Sequence, residues 1–90
     1  MLNKKITELK HIYDQSLKLK DMIFVLKDNE EILVKYENGI IIKYKKYQDK
    51  YQIESKDLNL NTCFSWTDIK SVIHNIAIIN GRIIEDTILD

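Results

Sequence analysis

Between Glu31 and Ser55 the chain reads EILVKYENGIIIKYKKYQDKYQIES, with apolar and polar side chains alternating over most of that length. A period of two marks an extended ribbon with one buried and one wet face. Turn signals at Asn38–Gly39 and Gln48–Asp49 interrupt it, so the stretch is constrained to antiparallel strands joined by short turns. Parity fixes the first turn. With Ile32, Val34 and Tyr36 inward, a two-residue loop would set Tyr36 opposite Ile41 and Val34 opposite Lys43. A three-residue loop, Glu37–Asn38–Gly39, sets Tyr36 opposite Ile40 and keeps the apolar set on one face, with Gly39 in the left-handed position of a bulged turn.

The same parity governs the run Lys43–Tyr51, which holds four lysines and three tyrosines in nine positions. Ile40, Ile42 and Tyr44 point inward, while Ile41, Lys43, Lys45 and Tyr47 point outward. A tight turn at Gln48–Asp49 sets Tyr44 opposite Ile53, Lys46 opposite Tyr51 and Lys43 opposite Glu54. Lys43 then has a cross-strand carboxylate, a pairing worth about 0.2–1 kcal/mol. An outward patch of Lys35, Lys45, Tyr47 and Lys50 remains.

Around this meander the period changes. Leu2, Ile6, Leu9, Tyr13 and Leu17 recur at spacings of three and four, with Ile12 widening the stripe, which predicts an amphipathic helix over about residues 3–20 lying on the sheet. MIFVLK (22–27) is apolar at nearly every position and reads as a strand buried on both faces. LNLNTCF (58–64) alternates again. Ser65 with Asp68 reads as a capping box, and Ile69, Val72, Ile73 and Ile76 as the stripe of a short helix over about 66–75. Its rival is a single turn leading into a strand. AIINGRIIED reads as a closing hairpin about Asn80–Gly81. The expected fold is α+β: an N-terminal helix packed on an antiparallel meander of four to five strands, a short second helix and a C-terminal β-hairpin.

Ninety residues suit a single domain, 1–90, with one modest core. A 44% apolar and 31% charged composition is that of an ordinary folded chain. Formal charge is zero, with eleven lysines against eight acids in residues 1–50 and three basic residues against six acids in 51–90. That is far from the basic excess of a dedicated nucleic-acid binder. No apolar run reaches the roughly 18 residues of a membrane span, and the start lacks the apolar core of a signal peptide. Cys63 is the only cysteine, so the expectation is a cytoplasmic protein without an intrachain disulfide.

Gly39 and Gly81 are the only glycines and both fall in turns, which leaves no glycine-built phosphate cradle. His11, Cys63 and His74 stand singly, so neither metal nor cofactor is expected. A nucleophilic set of Cys63, His74 and Asp68 would need the thiol within hydrogen-bond reach of the imidazole, and only closeness in sequence supports it. His74 at the end of a short helix reads instead as a C-terminal cap. Trp66 is either an interface anchor or a packing residue against Phe64 or the N-terminal helix.

No catalytic motif emerges, so the expectation is a non-enzymatic module that binds another protein, with Lys35, Lys45, Tyr47, Lys50 and Trp66 as candidate contacts. The lysine-rich, arginine-poor composition is that of an AT-rich genome, and the small size fits a phage- or plasmid-type inhibitor of a host enzyme, such as an anti-defence (anti-CRISPR, for instance) or immunity protein. The alternative is a weak RNA or single-stranded DNA binder, with Tyr47 stacking on a base and the lysines on phosphates. Self-association is open as well, through either the closing hairpin or an exposed strand edge; a membrane partner is not expected.

Overall fold

The computed structural model describes residues 2–89. Helix α1 (Leu2–Phe24) leads into strands β1 (Glu31–Tyr36), β2 (Ile41–Tyr47), β3 (Lys50–Ser55) and β4 (Leu60–Phe64), then helix α2 (Trp66–Asn80) and strand β5 (Ile83–Leu89). All five strands form one antiparallel sheet in the order β4-β3-β2-β1-β5. The α+β expectation of a helix packed on an antiparallel meander is therefore met, as is a second helix.

The parity argument holds in register. Ile32 faces Tyr44 and Val34 faces Ile42, while Tyr36 donates its N–H to Ile40 O at 2.9 Å. Gly39 has φ +89° and closes the three-residue loop by donating to Tyr36 O at 2.9 Å. Across the second turn Tyr44 faces Ile53, Lys46 faces Tyr51 and Lys43 faces Glu54. The inward set Ile32, Val34, Tyr36, Ile42, Tyr44 and Ile53 is wholly buried, with Tyr51 nearly so.

Both helices lie on that inner face. α1 contributes Ile12, Ser16, Leu19 and Ile23, and α2 contributes Ile69, Ile73, Ile76 and Ala77. Phe24 at the end of α1 meets Trp66 at the start of α2, and Tyr13 meets His74, so the two helices run antiparallel side by side. Ser65 caps α2 by accepting from Asp68 N–H at 3.2 Å, which satisfies one otherwise orphaned donor.

Three local expectations fail for identifiable reasons. The strand over 22–27 does not form: α1 runs on to Phe24, burying Ile23 one turn after Leu19. Extending a helix adds one bond per residue without a new nucleus, and no glycine or proline interrupts before Asp28. The hairpin about Asn80–Gly81 does not form either. Ala77–Asn80 is the last turn of α2, longer than the predicted 66–75 helix, and Gly81 (φ +87°) is its C-cap, donating to Ala77 O at 2.9 Å. The second arm is a strand, but β5 pairs with β1 across the molecule. His74 is consequently mid-helix and not a cap.

Candidate functional site

The outer face of the sheet, opposite the helices, carries the lysine–tyrosine patch. Lys43 reaches Glu54 at 3.2 Å and Glu31 at 3.6 Å, and Lys45 reaches Glu31 at 3.6 Å. Glu54 beside Lys43 holds its ammonium above the ordinary lysine range. Lys45 sits 4.7 Å above the centre of the Tyr47 ring and is raised as well, by Tyr47 first and by Glu31 after it. The ring that was to stack on a base is thus already covered on one face by a cation. Lys35 is half-buried opposite Ile41 of β2 and Glu85 of β5, and Lys50 is exposed beyond Tyr47. The face is a mixed-charge lattice with its glutamates interleaved.

Trp66 stands apart from this patch. It is half-buried on the helix side, its ring 4.9 Å from Phe24 and 5.2 Å from Tyr51 between centroids. It joins α1, α2 and β3, the packing alternative read from the sequence.

The nucleophilic set does not assemble. Cys63 lies on β4 opposite Gln52, exposed on the outer sheet face, whereas His74 packs on the inner side against α1. His74 Nδ1 lies 3.2 Å from Ser16 Oγ, a pairing that superficially resembles a hydroxyl–imidazole dyad. Ser16 is fully buried and donates its single proton to Tyr13 O at 2.7 Å, so it accepts from the imidazole and is not activated by it. Among the described residues no group of three or more His, Cys, Asp or Glu side chains is placed to hold a metal ion. Among the described residues, too, no helix is long and apolar enough to cross a membrane.

One surface was missed by sequence reasoning. The stripe Ile6, Leu9, Tyr13 and Leu17 was expected to face the sheet, but at 100° per residue it lies about 90° around α1 from the buried row Ile12, Ser16, Leu19 and Ile23. Ile6 is 58% exposed, Leu9 54% and Tyr13 46%. Ile78, one turn beyond His74 on the same side of α2, is 49% exposed and continues the flank. The first buried side chain of α1 among those described is Ile12, so the N-terminal turns stand proud of the core. The overhang is tethered by Glu8, whose carboxylate meets Arg82 at 3.7 Å. The signal available in the sequence was the presence of two adjacent apolar rows on a helix that needs only one for a two-layer fold.

Compared with family models, curated proteins and solved structures, the chain gives no match.

Proposed function

We propose that this chain is a non-enzymatic protein-binding module that works by laying the flank of its helix pair against another protein. The observation that carries the reading is the row Ile6, Leu9 and Tyr13 with Ile78, large apolar side chains 46–58% exposed along one flank of the helix pair. Apolar residues clustered on one side of a helix are an anchor row for a groove on a partner. A phage- or plasmid-type inhibitor that covers a host enzyme's surface is the specific form of this proposal, motivated by size, composition and the want of an assembled nucleophile. The nucleic-acid alternative is weakened by the ion pairs of Lys43 and Lys45 and by the occupied face of Tyr47.

A photo-crosslinking amino acid placed at Leu9 or Ile78, and for comparison at Lys35, tests the reading in lysates of low-GC bacteria. The expected result is a discrete adduct from the helix positions, lost when Ile6→Lys is added, and none from the sheet position. Adducts from Lys35 alone, or oligonucleotide binding at low salt that Lys45→Ala and Tyr47→Ala abolish, would overturn it.

A further inference from the structure

β5 ends the sheet on the side away from β4, and its pairing with β1 determines which backbone groups it leaves open. Tyr36 bonds to Ile40 on the β2 side, so the odd-numbered residues of β1 turn their N–H and C=O toward β5. Glu37 keeps that alternation, donating to Arg82 O at 2.7 Å. The residues opposite Lys35, Leu33 and Glu31 are Glu85, Thr87 and Leu89; they return those bonds, which turns the N–H and C=O of Asp86 and Ile88 to the outside. At the strand's start the same edge is closed, because the Gln15 amide donates to Ile83 O at 3.0 Å and accepts from Ile83 N–H at 2.9 Å. Beyond it the edge carries no lysine and no proline and, at seven residues, is not shortened. Its protection is confined to the bulge where Tyr36 faces Ile83 and Lys35 faces Glu85, and to the charges of Glu85 and Asp86. Ile84 and Ile88 are 56% and 49% exposed on it.

We propose that this edge is occupied by a second copy of the chain, the two β5 strands running antiparallel about a two-fold axis at Asp86 to give one ten-stranded sheet. The strand IIEDTIL reads nearly alike in both directions from Asp86. Self-pairing therefore sets Ile84 opposite Ile88 of the second copy and Glu85 opposite its Thr87. Ile83, which faces the inward Tyr36 across a bulge, and Leu89, which faces the outward Glu31, project to opposite faces and do not pair. Symmetry doubles the Ile84–Ile88 pair, so two such pairs stand against a single like-charged contact of Asp86 with Asp86. Lys18 and His11 of α1 line the same groove as Glu85 and Asp86, so a lysine stands on the same side of each copy as the like-charged contact. One strand pair buries less than the roughly 1,200 Å² of a stable interface, so the dimer is weak and concentration-dependent. The opposite edge also reads symmetrically, about Thr62, but Leu60 and Phe64 of β4 already pack against the core, and pairing there would gain little apolar burial. This association is separate from the helix-flank reading, since the groove and the flank lie on opposite sides of α1.

Sedimentation velocity from about 10 µM to about 1 mM reads the association directly, this being the range of a sub-standard interface. The expected result is a sedimentation coefficient that rises with concentration, a rise that Ile88→Lys removes. Asp86→Asn is expected to tighten the dimer by up to about fivefold, the size of one relieved like-charge pair. Because Ile88→Lys could also loosen the fold, cross-linking supplies an independent arm. In a Cys63→Ser background, directly paired residues stand about 5.5 Å apart at Cα, within disulfide range. Asp86→Cys should then form a covalent dimer with oxidised glutathione about tenfold faster than Glu85→Cys or Thr62→Cys. A single monomeric species across the whole range, or cross-linking at 62 or 85 as fast as at 86, would overturn the proposal.

Discussion

Tyr36 and Tyr44 lie side by side with no exposure to solvent, sharing a hydroxyl–hydroxyl hydrogen bond of 2.8 Å. Burial pushes the Tyr36 phenol up to about 12, the bond to Tyr44 opposing it only in part. Tyr44 is raised well above the ordinary value of 10, again chiefly by burial and then by Tyr36. Both folded values exceed the unfolded one, so the folded chain keeps protons that the unfolded chain releases. Their contribution to stability is complete below pH 10 and is lost as pH rises through 10 toward 12 and above. Urea unfolding at a series of pH values should show flat stability up to about pH 9, then a decline approaching 1.4 kcal/mol per pH unit for each withheld proton. The Tyr36→Phe, Tyr44→Phe double variant should lose that decline. At neutral pH the single Tyr36→Phe change strands a buried hydroxyl and should cost about 1–3 kcal/mol, whereas the double change should cost less than the two singles together. Additive costs would show that the shared bond does not couple the rings.

At the scale of elements, the end of α2 is where the chain most departs from its local text. Asn80–Gly81 carries a strong hairpin signal, yet the same pair serves as a helix end: Asn80 donates to Ile76 O at 3.0 Å and accepts from the Asn38 side chain at 2.8 Å. Gly81 is needed twice over, for its φ of +87° and because a Cβ there would overlap the Glu37 side chain. Gly81→Ala should therefore destabilise by about 1–3 kcal/mol, and adding Glu37→Ala should recover only the steric part, as thermal melts of the two variants would show. What was legible here depended on range. The strands between Glu31 and Ser55 and both their turns were readable because each register is decided by neighbours in sequence. The N-cap at Ser65 was readable for the same reason. The pairing of β5 with β1 was not, since more than forty residues separate them. MIFVLK was misread because an apolar run of six has no period of its own, and only the helix entering it decides its form.

For the molecule as a whole, two helices and five strands make a two-layer body of 44 × 23 × 20 Å, elongated because a 23-residue α1 is about 34 Å long and outruns the sheet it covers. α1 thus carries two apolar rows, of which the sequence reading recognised only the one through Leu9. The row through Leu9 is as regular as the row through Leu19, and nothing in the helix itself says which one a sheet will cover. The choice is made by α2, which occupies the adjacent side and meets Tyr13 edge-on through His74 and Phe24 at a tilt through Trp66. The two rows consequently make opposite predictions. Leu19 is 1% exposed, and Leu19→Ala should cost about 2–5 kcal/mol by opening a cavity in a packed interior. Leu9→Lys, on the standing flank, should change stability by less than about 0.5 kcal/mol, as surface substitutions do, while removing any partner captured through that flank. A loss of several kcal/mol from Leu9→Lys in urea denaturation would mean that the row is core after all, and the docking surface would disappear with it.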